Sequence, residues 1–86
     1  MKTVFSEEGW EDYTSWAESD RKVVKRINRL VKEIKSEPFT GIGKPEPLKG
    51  PLSGWWSRRI DDEHRLVYRV RDDVLGIIQA HGHYGG

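Results

Sequence analysis

A carboxylate held between two prolines is the first feature of this 86-residue sequence that could do chemistry. Glu46 lies between Pro45 and Pro47, and each proline fixes its own backbone φ and restricts the residue before it. The carboxylate can therefore be aimed at a site with little loss of conformational entropy on binding. An exposed loop glutamate is the ordinary alternative and, for Glu46 taken alone, the more common one.

Arg65 is the second candidate, because it lies in an alternating segment on the face opposite Leu66 and Tyr68. An arginine in that position faces away from the core. It can pair with a carboxylate on a neighbouring strand, or its planar fork can hold a phosphate. Arg58 and Arg59 are adjacent in another predicted strand, so their side chains point to opposite sides of it. The further candidates for RNA or phosphate binding are Lys44, Lys49 and Arg59.

His83 and Tyr84 follow the last predicted strand, near the end of the chain. Histidine titrates near neutral pH, so it can donate or accept a proton under cell conditions. We expect few backbone contacts there, which suits a group ordered by its substrate, although a tail histidine without function is an equal alternative. His81 and His83 have no further ligands at a suitable spacing, so we predict no metal and no other cofactor.

Glu46, Arg65 and His83 together form a set able to cleave RNA. A general base takes the proton of the ribose 2′-hydroxyl, and the 2′-oxygen attacks the adjacent phosphorus. A general acid protonates the departing 5′-oxygen, and a cation stabilises the charge on the phosphate. Glu46 could be the base, His83 the acid and Arg65 the cation. DNA lacks the 2′-hydroxyl and would not be a substrate.

Two predicted helices precede the loop that carries Glu46. Residues 2–5 read as a strand, Ser6 can cap a first helix, and Trp10, Tyr13 and Ala17 form an apolar stripe there with Trp16 beside it. A second helix begins after Ser19 or Asp20 and ends before Pro38. Its apolar positions recur at three- and four-residue steps: Val23, Val24, Ile27, Leu30, Val31 and Ile34.

Three strands are predicted after the glycine- and proline-rich loop of residues 38–54, at residues 55–60, 64–70 and 74–80. The order β-α-α-β-β-β predicts an α+β fold in one domain, residues 1–86. We expect an antiparallel sheet with both helices packed on one face. The other face is then open, and Arg65 and Arg69 should lie on it.

Composition and charge limit the class of protein. The absence of cysteine excludes disulfides and thiolate chemistry and fits a cytoplasmic protein. No segment resembles a signal peptide or a membrane span. Residues 20–37 carry seven basic and three acidic side chains, a possible nucleic-acid footprint, although a solvated helix face is the commoner meaning of such a pattern.

Several stretches resemble the YoeB branch of the RelE-like toxins. They are Ser6-Glu7-Glu8 with Trp10, Asp12 and Tyr13; the run from Gly41 to Lys49; the run from Leu52 to Ile60; the run from Glu63 to Tyr68; and the ending His83-Tyr84. The resemblance covers nearly the whole chain, with the motifs in order and compatibly spaced. The departures are Gly82 beside His83 and the extension Gly85-Gly86.

The resemblance implies a microbial-ribonuclease-like sheet with two helices and ribosome-dependent cleavage of messenger RNA in the A site. The products would be a 2′,3′-cyclic phosphate and a 5′-hydroxyl. Carried over by position, Glu46 would be the general base, Arg65 would stabilise the phosphate, His83 would be the general acid and Tyr84 would position the substrate. The basic helix would then have ribosomal RNA to bind.

The implied partners are the ribosome with its message, a YefM-like antitoxin and a second copy of the chain. Operator DNA would be bound only through the antitoxin complex. Two alternatives stay open. A ParE-like toxin shares the general fold but acts on DNA gyrase and does not need the Glu, Arg and His set. A non-catalytic RNA-binding or co-repressor module would explain the basic helix, but not the constrained loop carboxylate.

Overall fold

The computed structural model describes residues 1–82. Within that range the elements are β1 (Lys2–Phe5), α1 (Glu7–Ser19), α2 (Arg21–Ser36), β2 (Glu46–Pro47), a 3₁₀ turn (Gly50–Leu52), β3 (Trp56–Arg59), β4 (Arg65–Arg71) and β5 (Val74–Gln79). Neither α1 nor α2 is long and apolar enough to cross a membrane.

The sheet has the strand order β1-β5-β4-β3-β2. Strands β2, β3, β4 and β5 pair antiparallel with their neighbours, while β1 runs parallel to β5. The predicted α+β fold with two helices is confirmed, but the sheet is mixed rather than wholly antiparallel. Short hairpin turns dictate the direction of β4 and β5, whereas β1 reaches the sheet edge through no hairpin and its direction is not set that way.

Both helices begin where the sequence predicts. The Ser6 hydroxyl accepts a hydrogen bond from the Gly9 N–H at 3.0 Å, and an Asp20 carboxylate oxygen accepts one from the Lys22 N–H at 3.0 Å. Each cap satisfies a backbone donor that the first helical turn leaves unpaired. In α2 the predicted apolar face is confirmed, since Ile27, Leu30 and Ile34 are fully buried.

The predicted apolar stripe of α1 is rotated in the structure. Tyr13 and Trp16 pack against the core, but Trp10 is 53% exposed and Ala17 is exposed. The reason lies at Gly9, where an added Cβ would come within 2.6 Å of the Ile77 carbonyl oxygen of β5. The helix therefore meets the sheet along Gly9, Tyr13 and Trp16, and a glycine carries no hydrophobic signal in a sequence pattern.

The main core lies between the helices and one face of the sheet. Its sheet side is formed by Leu66, Tyr68, Leu75 and Ile77, all fully buried. On the opposite face Val67 is also fully buried and Leu48 is 7% exposed, and neither belongs to the main core cluster. The opposite face is therefore only partly open, because the segment that follows β2 covers part of it.

Arg58 lies on the core side of β3 and is fully buried. Its guanidinium donates to the Tyr68 hydroxyl at 3.2 Å and to the carbonyl oxygens of Ile42 at 3.2 Å, Glu37 at 2.6 Å and Thr40 at 2.8 Å. A buried charge is costly unless it is paired and hydrogen-bonded. The three carbonyls come from the loop after α2, so the guanidinium ties that loop to the sheet.

Two side chains complete the surroundings of Arg58. A Glu33 carboxylate oxygen lies 3.5 Å from the Arg58 Nη1 and accepts the Ile42 N–H at 2.6 Å. The Tyr68 hydroxyl donates to the Pro38 carbonyl at 2.7 Å. Burial raises the pKa of Tyr68, outweighing the hydrogen bond and charge of Arg58, so the hydroxyl stays a neutral donor. Helix, loop and sheet are joined at this one point.

Replacing Arg58 should destabilise the protein strongly. Arg58→Lys keeps the charge but has no planar fork, so it leaves loop carbonyls without donors and should lower the free energy of unfolding by about 3 kcal/mol. Urea unfolding followed by circular dichroism measures this change. Arg59→Lys, one residue on and exposed, is the matched control and should change it by less than about 0.5 kcal/mol. Equal unfolding midpoints for the two variants would contradict this role of Arg58.

Candidate active site

The strand register brings three of the predicted site residues to one face of the sheet. Glu46 of β2 pairs with Ser57 of β3, and Arg59 of β3 pairs with Arg65 of β4. Directly paired residues share a face, as do residues two apart along one strand. Glu46, Arg59 and Arg65 therefore lie on the face opposite the helices.

Glu46 is positioned from both sides. Before it, the Gly43 carbonyl accepts the Arg59 N–H at 2.6 Å, and the chain reverses with φ of 83° at Gly43 and 51° at Lys44. After it, the Leu48 N–H donates to the Trp55 carbonyl at 2.9 Å. Glu46 and Pro47 thus form a short strand, β2, directly after Pro45, and the sequence did not reveal this strand because it spans only two residues.

The candidate phosphate-binding lysines and Arg59 are solvent-exposed. Lys44 and Lys49 lie on either side of β2, in the loop that carries Glu46, and Arg59 ends β3. Exposed cations around a carboxylate can attract an anionic polymer without occupying the site itself. The sequence prediction for these three is a role in binding, and their positions are compatible with it.

Arg65 lies on the predicted face but is 9% exposed, more buried than an open face implies. Its Nη1 donates to the carbonyl oxygens of Asp61 at 3.0 Å and His64 at 3.2 Å. Within residues 1–82 it forms no ion pair with a carboxylate, and its Nε and Nη2 make no hydrogen bond. The fork geometry of a guanidinium with two such nitrogens can hold an anionic ligand.

The turn between β3 and β4 is what holds Arg65, and Asp61 shapes it. An Asp61 carboxylate oxygen accepts the N–H groups of Glu63 at 2.9 Å and His64 at 2.7 Å. Burial opposes the charged form, but the hydrogen bonds from His64 and Glu63 and the positive charge of Arg65 prevail and keep the pKa of Asp61 below its ordinary value. An ionised Asp61 thus orients the carbonyls that accept from Arg65.

Two hydrogen bonds from α1 hold Ala80, the residue that follows β5. The Ala80 N–H donates to Asp12 at 3.0 Å, and the Ala80 carbonyl accepts from the Trp16 indole at 2.7 Å. Side chains one helical turn apart on α1 thus bond to both the N–H and the carbonyl of Ala80. The expectation of few backbone contacts was made for His83 and Tyr84, which lie outside the described residues, and it stays a prediction.

Two more backbone bonds reach the residue before His83. The Gly82 N–H donates to His64 Nδ1 at 2.7 Å, and the Gly82 carbonyl accepts the Arg65 N–H at 3.0 Å. The His64 and His81 rings, 4.5 Å apart, both contact the Trp16 ring. The proposed catalytic residues His83 and Tyr84 lie outside the described residues.

Sequence reasoning missed the residues that support this site rather than those that could react. His64, Asp12 and Trp16 contribute hydrogen bonds to the segment beyond β5, and Asp61 orders the turn that holds Arg65. Asp61 lies between two predicted strands and Trp16 beside the predicted apolar stripe, and neither position indicates a supporting role. The pattern Asp12 and Trp16, four residues apart on α1, places both side chains on one helix face and was the available signal.

Comparison with known proteins agrees with the fold and with the motifs. The family model for the YoeB-like toxin of the bacterial type II toxin–antitoxin system matches residues 5–84. The toxin YoeB of Streptomyces coelicolor is 67% identical over 84 residues, which are 98% of this chain and 100% of that protein. Similarity of this extent goes well beyond a shared architecture.

Solved structures extend the comparison. A YoeB/ParE toxin from Agrobacterium tumefaciens superposes with a TM-score of 0.95 at 49% identity, covering 98% of this chain and 100% of that one. YoeB of Staphylococcus aureus has been solved as a dimer (TM-score 0.92, 46% identity) and in complex with YefM (0.91, 45%), each covering 98% of both chains. From the family match over residues 5–84 and the full-length identity to YoeB toxins, the chain belongs to the YoeB-like toxins of bacterial type II toxin–antitoxin systems.

Proposed function

We propose that this toxin is a metal-independent endoribonuclease that cuts messenger RNA in the ribosomal A site and so inhibits translation. The observation that carries the proposal is the register of β2, β3 and β4, which sets a carboxylate and a guanidinium on one face of the sheet. Arg65 keeps two nitrogens without a hydrogen-bond partner among residues 1–82, and exposed cations flank Glu46. Those are the groups that an in-line attack on a phosphodiester requires.

The reaction uses one base, one acid and one cation. Glu46 takes the proton of the ribose 2′-hydroxyl, and the 2′-oxygen forms a bond to the adjacent phosphorus. The bond from phosphorus to the 5′-oxygen breaks, and His83 protonates that oxygen as it leaves. Arg65 stabilises the extra negative charge on the phosphate, and Tyr84 positions the nucleotide. The products are a 2′,3′-cyclic phosphate and a 5′-hydroxyl.

The ribosome supplies what a small domain lacks. A domain of 86 residues cannot wrap a message strand and fix it in the geometry of in-line attack, whereas a strand already ordered in the A site needs only the catalytic groups. Lys44, Lys49 and Arg59 would contact RNA phosphates around the cut, through attraction that does not depend on sequence. This activity would be exercised in the cytoplasm, with no membrane involved.

The proposed protein partners follow from the relatives. Because YoeB of Staphylococcus aureus forms a dimer and binds YefM, we propose that this toxin also forms a homodimer and is neutralised by a YefM-like antitoxin. Contact with operator DNA would occur only through the antitoxin complex. The two Staphylococcus aureus chains are 45–46% identical to this one and align over 98% of both chains. The surfaces that form the dimer and bind YefM there therefore belong to a fold that this chain shares.

Two other functions make different demands on Glu46. A gyrase-inhibiting toxin or a non-catalytic RNA-binding module would act through surface contacts, and loss of one exposed carboxylate would leave its effect largely intact. A nuclease would lose its general base. Hydrogen bonds fix the position of Arg65 and of the segment up to Gly82. This favours the nuclease, because catalysis requires side chains held in fixed positions around one bond, whereas binding alone does not.

Removing the proposed base or acid should abolish cleavage without unfolding the protein. Glu46→Gln and His83→Gln should each slow single-turnover cleavage of the message on programmed ribosomes at least about 100-fold, with little change in melting temperature. Glu18→Gln, the same substitution at an exposed site on α1, should cut at the normal rate. Wild-type cleavage by the folded Glu46→Gln protein would exclude Glu46 as the base.

Cleavage should also depend on the ribosome. Wild-type toxin should cut a message bound in the A site at least about 100-fold faster than the same message free in solution, because the ribosome orients the strand for attack. Primer extension under identical salt conditions measures both rates, and Glu46→Gln serves as the blank for contaminating nucleases. Equal rates on the two substrates would indicate a general ribonuclease.

A further inference from the structure

One row of residues crosses the helix-free face of the sheet beside the candidate active site. Arg69 of β4 pairs with Gly76 of β5, and Gly76 pairs with Val4 of β1. On the other side of Arg69, Trp56 of β3 pairs antiparallel with Tyr68 of β4. Trp55 precedes Trp56 and Arg69 follows Tyr68, so Trp55 lies opposite Arg69 and continues the row. The row therefore reads Trp55, Arg69, Gly76 and Val4 from strand to strand.

Trp55 and Arg69 are in direct contact within this row. The central guanidinium carbon of Arg69 lies 4.4 Å from the centre of the Trp55 ring, the geometry of a cation–π pair. Both side chains are half-buried, so each keeps an accessible surface. The Trp55 ring restricts the long side chain of Arg69. Part of the conformational entropy of that side chain is therefore lost before any ligand binds.

A shallow depression adjoins the pair. It is lined by Arg69, Arg71, Asp72, Val74 and Gly76. At Gly76 an added Cβ would meet the Trp55 ring edge at 3.9 Å and the Arg69 carbonyl at 3.8 Å, which is ordinary contact. No strain therefore demands glycine there, and its effect is to leave space beside the guanidinium.

We propose that Trp55 and Arg69 form a nucleotide-binding subsite for the message strand, next to the bond that is cut. A nucleobase would stack on the guanidinium plane that Trp55 supports, and the N–H groups of Arg69 would reach the neighbouring phosphate. This inference rests on the proposed function, because the occupant is the same RNA strand that the active site would cleave.

The charges around the pair favour RNA as the occupant. Arg71 of β4 lies two residues beyond Arg69 on the same face, and its strand partner Val74 pairs in turn with Lys2 of β1. Asp72 is the one carboxylate of the lining, and the neighbouring Asp73 is engaged by the N-terminal amine at 3.7 Å. A cationic strip with one aromatic ring is the combination that single-stranded RNA prefers.

The position of the subsite suits a nucleotide close to the cut. Along β3, Ser57 is the partner of Glu46, and Trp55 lies two residues before it on the same face. Two residues along a strand span roughly 7 Å, so the subsite is one step from the carboxylate row. An RNA strand that crosses Arg65 and Glu46 would reach Arg69 with its next nucleotides.

Nuclear magnetic resonance tests the subsite without any cleavage. A short single-stranded 2′-O-methyl RNA, which has no free 2′-hydroxyl to react, is titrated into nitrogen-15-labelled toxin. The Trp55 indole N–H and the Arg69 Nε–H signals should shift together, while the indole of Trp10, exposed beside Phe5 and Tyr13, should not. Absence of a shift at Trp55 overturns the proposal.

Kinetics on programmed ribosomes separates this subsite from the catalytic groups. Trp55→Ala and Arg69→Ala should raise the toxin concentration that gives half-maximal cleavage rate about tenfold, with the plateau rate nearly unchanged. Trp55→Phe, which keeps an aromatic face, should stay within about threefold of wild type. Glu46→Gln should instead lower the plateau.

Stability and packing variants complete the test. Should Trp55→Ala melt early, Gly76→Val gives a second route, because its side chain fills the depression in a strand where glycine is not required. It should weaken binding to the same extent. Unchanged half-maximal concentrations for Arg69→Ala and Gly76→Val would overturn the subsite. Absence of cleavage by the wild-type toxin would instead overturn the proposed nuclease function, and the magnetic-resonance titration would still test the subsite.

Discussion

The buried guanidinium of Arg58 links the loop after α2 to the centre of the sheet. A charge removed from water is tolerated only where acceptors surround it, and here the loop provides three carbonyls, with the Tyr68 hydroxyl and the Glu33 carboxylate alongside. The loop must adopt the one path on which those carbonyls converge. Gly41, with φ of 120°, is needed on that path, since a Cβ there would collide with the Glu33 carboxylate.

The path of this loop determines where Glu46 lies in the candidate active site. The loop leaves Arg58, bonds to β3 through Gly43 and Arg59, and enters β2 at Glu46. On the far side of the site, the turn ordered by Asp61 holds Arg65, and α1 holds the chain up to Gly82 through Ala80. Arg58 and Arg59, adjacent in sequence, thus serve opposite faces: the first secures the core, and the second lies beside the proposed site.

The sequence pattern predicts those features that depend on local periodicity. Both helix caps, the buried face of α2 and the strands that became β1, β3, β4 and β5 were all recognisable. The parallel pairing of β1 and the rotation of α1 around Gly9 were not, because they depend on contacts between distant segments. The burial of Arg58 could not be predicted for a different reason. The alternation of side chains along a strand predicts which face of the sheet a residue lies on, but not whether that face offers enough hydrogen-bond acceptors for a buried cation.

Glu46 and Arg65 were recognisable as candidates from residue type and from resemblance, whereas their presence on one face follows from register. The proposed mechanism adds one chemical claim to that geometry, that the ribose 2′-hydroxyl is the nucleophile. Programmed ribosomes carrying a message with a single 2′-deoxynucleotide at the mapped cleavage position test it most directly. We predict that the toxin leaves this message intact while cutting its all-ribose counterpart at the same position. Cleavage of the substituted message at that position would show that the nucleophile is not the 2′-hydroxyl and would contradict the mechanism.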